Sequence, residues 1–112
     1  MANRVISTPY FERRLKRLHK KFPTLYNELD ELESQLLKFP TMGIDYGANI
    51  YKIKLACKSK HRGKSGGFRV ITYLIQQTEA GYEINLVTIY DKSEEANITK
   101  EDILKLVKKI YD

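Results

Sequence analysis

The spacing of the apolar residues switches from helical to strand-like near the middle of this chain, and that change limits what it can fold into. Between residues 11 and 36 the apolar side chains recur at helical spacing, in two segments bounded by prolines. In residues 51–57 and again in residues 82–90 they alternate along the chain, as they do in strands. A chain that passes from paired helices to successive strands is typical of the α+β class. At 112 residues we expect a single domain that spans residues 1–112.

Two helices are predicted in the first 40 residues, after a short strand around Val5 and Ile6. Thr8 supplies a capping hydroxyl for the first helix, and Pro9 follows at a position where helices accept proline. Thr24 can cap the second helix. Their apolar stripes are Phe11, Leu15, Leu18 and Phe22, then Leu25, Leu29, Leu32 and Leu36. We expect a helical hairpin over one face of a sheet. The basic outer face of the first helix is either solvated surface or an accessory RNA contact.

Three strands and a short C-terminal helix are predicted after a loop at residues 41–49. Residues 51–57 place Tyr51, Ile53, Leu55 and Cys57 on one face, and Lys52, Lys54 and Ala56 on the other. Residues 58–67 form a basic, glycine-rich hairpin loop. Residues 68–75 form a central strand in which Arg69 is the only charge, and residues 82–90 form an alternating third strand after a turn at 79–81. Thr99 and Asp102 form a variant capping box for the last helix. We expect the main sheet to be an antiparallel meander.

The positive charge of the chain is concentrated between residues 50 and 73. This stretch holds seven of the 20 lysines and arginines, and residues 46–78 contain no aspartate or glutamate. Without those seven, 13 basic residues remain against 14 acidic ones, so the formal charge of +6 comes from this segment. Such a local excess predicts an anion site, and nucleic acid is the large anion that best fits a basic chain.

Several other sites are poorly supported by the residues. Cys57 is the one cysteine, so a reducing, cytoplasmic setting fits, and His19 and His61 have no partner at metal-ligand spacing. The Gly63-Lys64-Ser65 triplet has Lys58 where a phosphate loop needs glycine, and a strand rather than a helix follows it. A serine hydrolase is not excluded by composition, although no nucleophile turn is visible. We expect no metal, no cofactor and no membrane segment.

A basic sheet could also cleave RNA, because the RNA 2′-hydroxyl is itself a nucleophile. Cleavage needs a proton acceptor, positive charge for the transition state and a proton for the leaving 5′-oxygen. Close like charges favour the neutral amine, so one lysine could serve as the base, whereas arginine can only position or stabilise. Tyrosines can transfer protons or stack on bases, although the default role of any one tyrosine is to bury its ring in the core or at its rim. The candidates are Tyr46, Tyr51, Tyr73, Tyr82 and Tyr90.

Three segments resemble the RelE/ParE superfamily of bacterial toxins, and most closely its RelE/HigB-like branch. They read YKIKL at residues 51–55, GKSGGFRVI at 63–71 and TIYDK at 88–92. The resemblance implies a RelE-like α+β fold with an N-terminal strand, a helical hairpin packed on an antiparallel sheet and a C-terminal helix. It implies a toxin of a type II toxin–antitoxin module that cuts mRNA in the ribosomal A site, without a metal, and so inhibits translation. Its implied partners are an antitoxin, mRNA and ribosomal RNA.

The resemblance also implies roles for individual residues. Lys52 and Lys54 match the active-site lysine pair, Arg69 the arginine on the scissile phosphate, and Lys92 a basic residue that follows the last strand. Tyr90 matches a tyrosine of the HigB-like branch; RelE proper has its tyrosine where this chain has Ala96-Asn97-Ile98, so Tyr90 or Tyr111 would replace it, with Tyr90 favoured. The residues expected to bind the RNA backbone are Lys58, Lys60, Arg62 and Lys64. The alternatives are a ParE-like inhibitor of DNA gyrase and a non-catalytic nucleic-acid-binding module.

Overall fold

A five-stranded sheet in the order β1-β5-β4-β3-β2 forms the centre of the protein. The computed structural model describes residues 3–60, 67–78, 81–94 and 98–111. The strands are β1 (Arg4–Ser7), β2 (Ile44–Asp45), β3 (Ile50–Leu55), β4 (Phe68–Thr78) and β5 (Gly81–Asp91). Strands β2 to β5 pair antiparallel, whereas β1 pairs with β5 in parallel. The predicted α+β class with an antiparallel main sheet is confirmed, and the first strand extends this sheet as a parallel edge.

The predicted helical hairpin is formed by α1 (Pro9–Lys21) and α2 (Leu25–Lys38). Thr8 caps α1 as expected: its hydroxyl accepts from the Phe11 N–H at 3.0 Å and donates to the Val87 carbonyl at 3.0 Å. Thr24 occupies the N-cap position of α2 as predicted, although its side chain makes no capping bond to the helix backbone. It bonds to Ser59 instead, across 35 residues of sequence. Thr24 therefore ties the hairpin to the segment that follows β3.

Each face of the sheet carries its own core. On the face under α1 and α2, both predicted helical stripes pack against Ile53, Cys57 and apolar residues of β4 and β5. The other face packs against α3 (Lys100–Tyr111) through Ile103 and Val107. The predicted capping box starts this helix, since the Thr99 N–H donates to Asp102 at 3.0 Å and the Asp102 N–H donates to Thr99 at 3.1 Å.

A bulge interrupts the alternation of β5, which the sequence pattern treats as continuous. On β4, Ile71 pairs with Thr88 and the next residue pairs with Leu86, so Val87 is an extra residue. Leu86 and Ile89 consequently face the same core, although they are three residues apart. Strict alternation would have placed Tyr90 beneath the helical hairpin with Leu86. The bulge turns Tyr90 to the face that carries the lysines of β3.

The connecting segments differ from the sequence prediction in two places. The loop at 41–49 contains the two-residue strand β2, and residues Lys58–Lys60 form a 3-10 helix instead of an open loop. The rest of the predicted basic loop, 61–66, lies outside the described residues, as do 79–80 of the predicted turn. At Gly67 the two strands approach closely, because an added methyl group would overlap the Leu55 carbonyl oxygen. Glycine is therefore required where the chain re-enters the sheet.

Candidate nucleic-acid interface

Four of the five residues predicted to be catalytic lie together on one face of the sheet. Lys54, Arg69 and Tyr90 occupy paired positions on β3, β4 and β5, so they form a row across three neighbouring strands. Residues paired across antiparallel strands share a face. Lys52 lies two residues before Lys54 on the same strand, and alternation gives it the same face. The lysines, Arg69 and Tyr90 are the residues expected on this face, and the bulge in β5 is what turns Tyr90 toward it.

The row is exposed at one end and buried at the other. Arg69 is 3% exposed and Tyr90 is 2% exposed, whereas Lys52 is half-buried and Lys54 lies in solvent. The guanidinium of Arg69 donates to the carbonyl oxygen of Phe68 at 3.2 Å. An incoming phosphate would therefore meet the two lysines first. The guanidinium of Arg69 adds positive charge beneath them.

Tyr90 has a protonation state that suits a donor. Its burial raises the pKa of the phenol, and the nearby Tyr46 adds to the increase. The ammonium of Lys52 lowers the pKa of Tyr90 through its charge and a hydrogen bond, and Arg69 lowers this pKa through its charge. The net direction is upward, so at neutral pH Tyr90 is a neutral phenol whose proton is available for donation.

Tyr111, the second candidate for the tyrosine of RelE proper, lies elsewhere. It ends α3, and its ring contacts that of Tyr73 with 4.7 Å between the ring centres. Tyr73 pairs with Asn85, four residues along β4 from Arg69. Burial, Glu83 and Tyr73 raise the pKa of Tyr111 to about 12. Among the described residues its hydroxyl has no hydrogen-bond partner. The structure brings Tyr90, and not Tyr111, to the lysines.

Lys92 follows β5 in a turn held by its neighbours. The Asp91 carboxylate accepts from the Ser93 N–H at 2.9 Å and from its hydroxyl at 2.7 Å, a local motif that fixes the backbone. The Lys92 N–H donates to the Gly67 carbonyl at 3.1 Å, which extends the β4–β5 ladder by one residue. Lys92 is therefore anchored next to the end of β4 that begins with Phe68 and Arg69. The sequence pattern gave no signal that Asp91 would set this turn.

The segment predicted to bind RNA backbone begins with hydrogen bonds to the helical hairpin, which we call the Thr24–Ser59 clamp. Thr24 and Ser59 exchange backbone-to-hydroxyl bonds of 2.9 and 3.1 Å, and their hydroxyls lie 2.6 Å apart. The Glu28 carboxylate accepts from the Lys58 N–H at 2.8 Å. Although residues 46–78 contain no aspartate or glutamate, α2 supplies a carboxylate to this basic segment from 30 residues away. Lys58 is exposed and Lys60 ends the 3-10 helix, while Arg62 and Lys64 lie outside the described residues.

A groove runs beside the two lysines of β3. It has a volume of about 350 Å³ and lies along the edge formed by β2 and β3. Solvent and a flexible chain can reach the lysines from this side. The lining residues are Met42, Gly43, Ile44, Lys52, Ile53 and Lys54.

Metal-ligating residues do not gather in the part of the chain that the structure describes. Within it, no group of three or more histidine, cysteine, aspartate or glutamate side chains could hold a metal ion. His19 instead stacks on Tyr26, with 3.7 Å between ring centres. None of the described helices is long and apolar enough to span a membrane.

The comparison with protein-family models decides the family. Residues 3–111 match the model described as the RelE toxin of the RelE/RelB toxin–antitoxin system. This chain belongs to the RelE toxin family. A solved structure of a double arginine-to-alanine variant of the E. coli toxin RelE, in the free state, shares the fold with a TM-score of 0.60. That chain is 23% identical, and the match covers 98% of this chain and 99% of the E. coli toxin.

Membership in the RelE family bears on partners as well as on fold. The family is defined by a toxin–antitoxin pairing, and it implies an antitoxin partner for this chain. A search of curated proteins found no match. The resemblance drawn from three sequence segments is thus confirmed at the level of the family and the fold.

Proposed function

We propose that this RelE family member is a ribosome-dependent mRNA endonuclease. It would cut mRNA in the ribosomal A site, inhibit translation and use no metal or cofactor. One observation carries the proposal: Lys54, Arg69 and Tyr90 lie in one row across β3, β4 and β5, with Lys52 beside Tyr90. A base, fixed positive charge and a protonated donor are what cleavage by the 2′-hydroxyl needs.

The reaction forms one bond and breaks one. The 2′-oxygen attacks the adjacent phosphorus and the 5′-oxygen leaves, which gives a 2′,3′-cyclic phosphate and a 5′-hydroxyl. Lys52 or Lys54 would accept the 2′-hydroxyl proton or stabilise the developing charge. Tyr90 would donate a proton to the 5′-oxygen, since burial raises the pKa of its phenol and keeps it protonated.

Arg69 and Lys92 would hold the phosphate and its growing negative charge. A unit charge about 8 Å away contributes about 2 kcal/mol at an effective dielectric constant of about 20, so a guanidinium can act without direct contact. Arg69 is nearly fully buried, and this geometry suits a fixed charge beneath the lysines. Lys92 is anchored by its N–H at the same end of β4.

The basic segment after β3 would hold RNA backbone. Lys58 and Lys60 lie on the short 3-10 helix, and we propose that Arg62 and Lys64 continue the same contact with mRNA or ribosomal RNA. Phosphate contacts of this kind position a nucleic acid without reading its sequence. The whole chain, residues 1–112, would act as one domain in the cytoplasm, where an acidic antitoxin could cover this charge.

Induced expression with mapping of mRNA 5′ ends tests the proposal. We expect cuts within translated codons for the wild-type protein, and none for Arg69→Ala or for Lys52→Ala combined with Lys54→Ala. Both variants must still unfold cooperatively, which a thermal melt checks. Intact transcripts with DNA-damage signalling would point to gyrase inhibition instead. Intact transcripts with salt-sensitive nucleic-acid binding and no growth arrest would point to a non-catalytic binding module.

A further inference from the structure

Tyr46 lies beside the candidate site, although it belongs to the loop between β2 and β3. Its half-buried ring packs against the core beneath α3. The ammonium groups of Lys52 and Lys100 each lie 5.8 Å from the centre of this ring. The hydroxyl of Tyr46 is also close enough to raise the pKa of Tyr90. One aromatic ring thus joins a strand lysine, a helix lysine and the proposed proton donor.

Backbone hydrogen bonds fix the chain on both sides of the turn that follows Tyr46. Three successive residues have positive φ: Gly47 at 81°, Ala48 at 53° and Asn49 at 65°. Alanine rarely adopts this conformation, so the turn is strained and needs support. The support is present at both ends, because the Tyr46 N–H donates to the Ile50 carbonyl at 2.8 Å and the Leu74 N–H donates to the Asn49 carbonyl at 2.9 Å.

The charges around the ring favour an anion. Lys52 comes from β3 and Lys100 is the first residue of α3, so the fold brings them together from 48 residues apart. In the part of the chain that the structure describes, neither lysine forms a salt bridge with a carboxylate. Two ammonium groups gathered at one aromatic ring repel one another, and a bound phosphate would relieve that repulsion.

A ligand with both a flat ring and a phosphate fits these groups. We propose that Tyr46, Lys52 and Lys100 form a subsite for one nucleotide of single-stranded RNA, next to the scissile phosphate. The base stacks on the Tyr46 ring, and the two lysines hold the phosphate of that nucleotide. Stacking on an aromatic ring accepts any base, and lysines move easily from the ring to a phosphate. The choice of RNA as the ligand rests on the proposed function.

Binding of a non-cleavable RNA tests the subsite without requiring catalysis or ribosomes. The probe is a fluorescein-labelled, 2′-O-methyl hexanucleotide, followed by fluorescence anisotropy. We expect Tyr46→Leu to bind about tenfold more weakly, and Tyr46→Phe, which keeps the ring, to recover most of the loss. Lys100→Gln should weaken binding and reduce the slope of log affinity against log salt by about 0.7. Tyr26→Leu is the control, because Tyr26 is an exposed tyrosine on α2, and it should bind like the wild type.

Abasic probes, each lacking one base, identify the stacking interaction itself. At one abasic position the affinity of the wild type for the probe should fall about tenfold. The affinity of Tyr46→Leu should not fall further when the same base is removed. Equal affinity of wild type and Tyr46→Leu for the intact probe would overturn the subsite, and so would a wild type that fails to bind it. If Tyr46→Leu does not melt cooperatively, Lys100→Gln still decides, because an unchanged affinity and salt slope in that variant would overturn the subsite. A protein that binds as expected but leaves mRNA uncut would contradict the proposed function alone.

Discussion

Lys54 of β3 lies directly opposite Arg69 of β4, so two positive side chains face each other across neighbouring strands. Like charges at directly paired positions destabilise a sheet. Arg69 is buried beneath the surface, whereas Lys54 is exposed and can lean into solvent. This pair of like charges occupies the centre of the candidate site. A phosphate between the two side chains would turn this repulsion into attraction.

Removing one of these charges should therefore stabilise the fold and damage function. We expect Lys54→Gln to raise the free energy of unfolding by about 0.5 kcal/mol and the melting temperature by about 2 °C. The same variant should lose mRNA cleavage. Lys16→Gln removes an equal charge from the exposed face of α1 and should change stability by less than about 0.5 kcal/mol. A less stable Lys54→Gln protein would show that the pair is not repulsive.

The two candidate tyrosines should respond differently to loss of the hydroxyl. Tyr90→Phe should slow cleavage about 100-fold, the lower end of the range for a lost general acid. Tyr111→Phe should keep cleavage and raise the free energy of unfolding by about 1 kcal/mol, because its buried hydroxyl has no partner among the described residues. Growth arrest and urea unfolding measure the two effects. Retained toxicity in Tyr90→Phe with lost toxicity in Tyr111→Phe would reverse the assignment.

Alkaline pH should destabilise the protein through Tyr111. Folding raises the pKa of this phenol from 10.0 to about 12, so the unfolded chain releases the proton first as the pH rises. The folded state then binds more protons, and the free energy of unfolding falls with increasing pH. The loss should begin near pH 10 and end near pH 12. Urea titrations between pH 9 and 12 measure it, and Tyr111→Phe should show a shallower decrease than the wild type.

The Thr24–Ser59 clamp should hold the start of the basic segment on the helical hairpin. Thr24→Val removes the shared hydroxyl and leaves the Ser59 N–H without its acceptor. We expect a loss of about 1–2 kcal/mol in the free energy of unfolding and faster hydrogen exchange at the Ser59 amide. Thr24→Ser keeps the hydroxyl and is the matched control. Unchanged amide exchange in Thr24→Val would argue against the clamp.

The sequence predicted the elements of the fold well, because periodicity depends on local patterns. The helical stripes, the lysine face of β3 and the capping box at Thr99 all follow from spacing within a few residues. The face on which Tyr90 lies does not follow from this spacing, because the bulge at Val87 reverses the face of every later residue in β5. Nothing in the alternation of residues 82–90 marks that extra residue.

Contacts between distant segments of the chain could not be predicted from the sequence patterns either. Glu28 reaches the Lys58 amide, Thr24 reaches Ser59, and Lys100 reaches Tyr46. Each contact joins elements that only the folded sheet and helices bring together. Tyr46 was visible as one of several candidate stacking tyrosines, but its two lysine neighbours depend on the packing of α3 against the sheet.

Cleavage of a chemically modified mRNA on purified ribosomes tests the central claim most directly. The wild-type protein should cut a defined A-site codon and leave a 2′,3′-cyclic phosphate and a 5′-hydroxyl. The same mRNA with a 2′-deoxy nucleotide at the cut position should remain intact, and Arg69→Ala should cut the unmodified mRNA at least about 100-fold more slowly. Cleavage of the 2′-deoxy mRNA, or a product with a 5′-phosphate, would contradict the account.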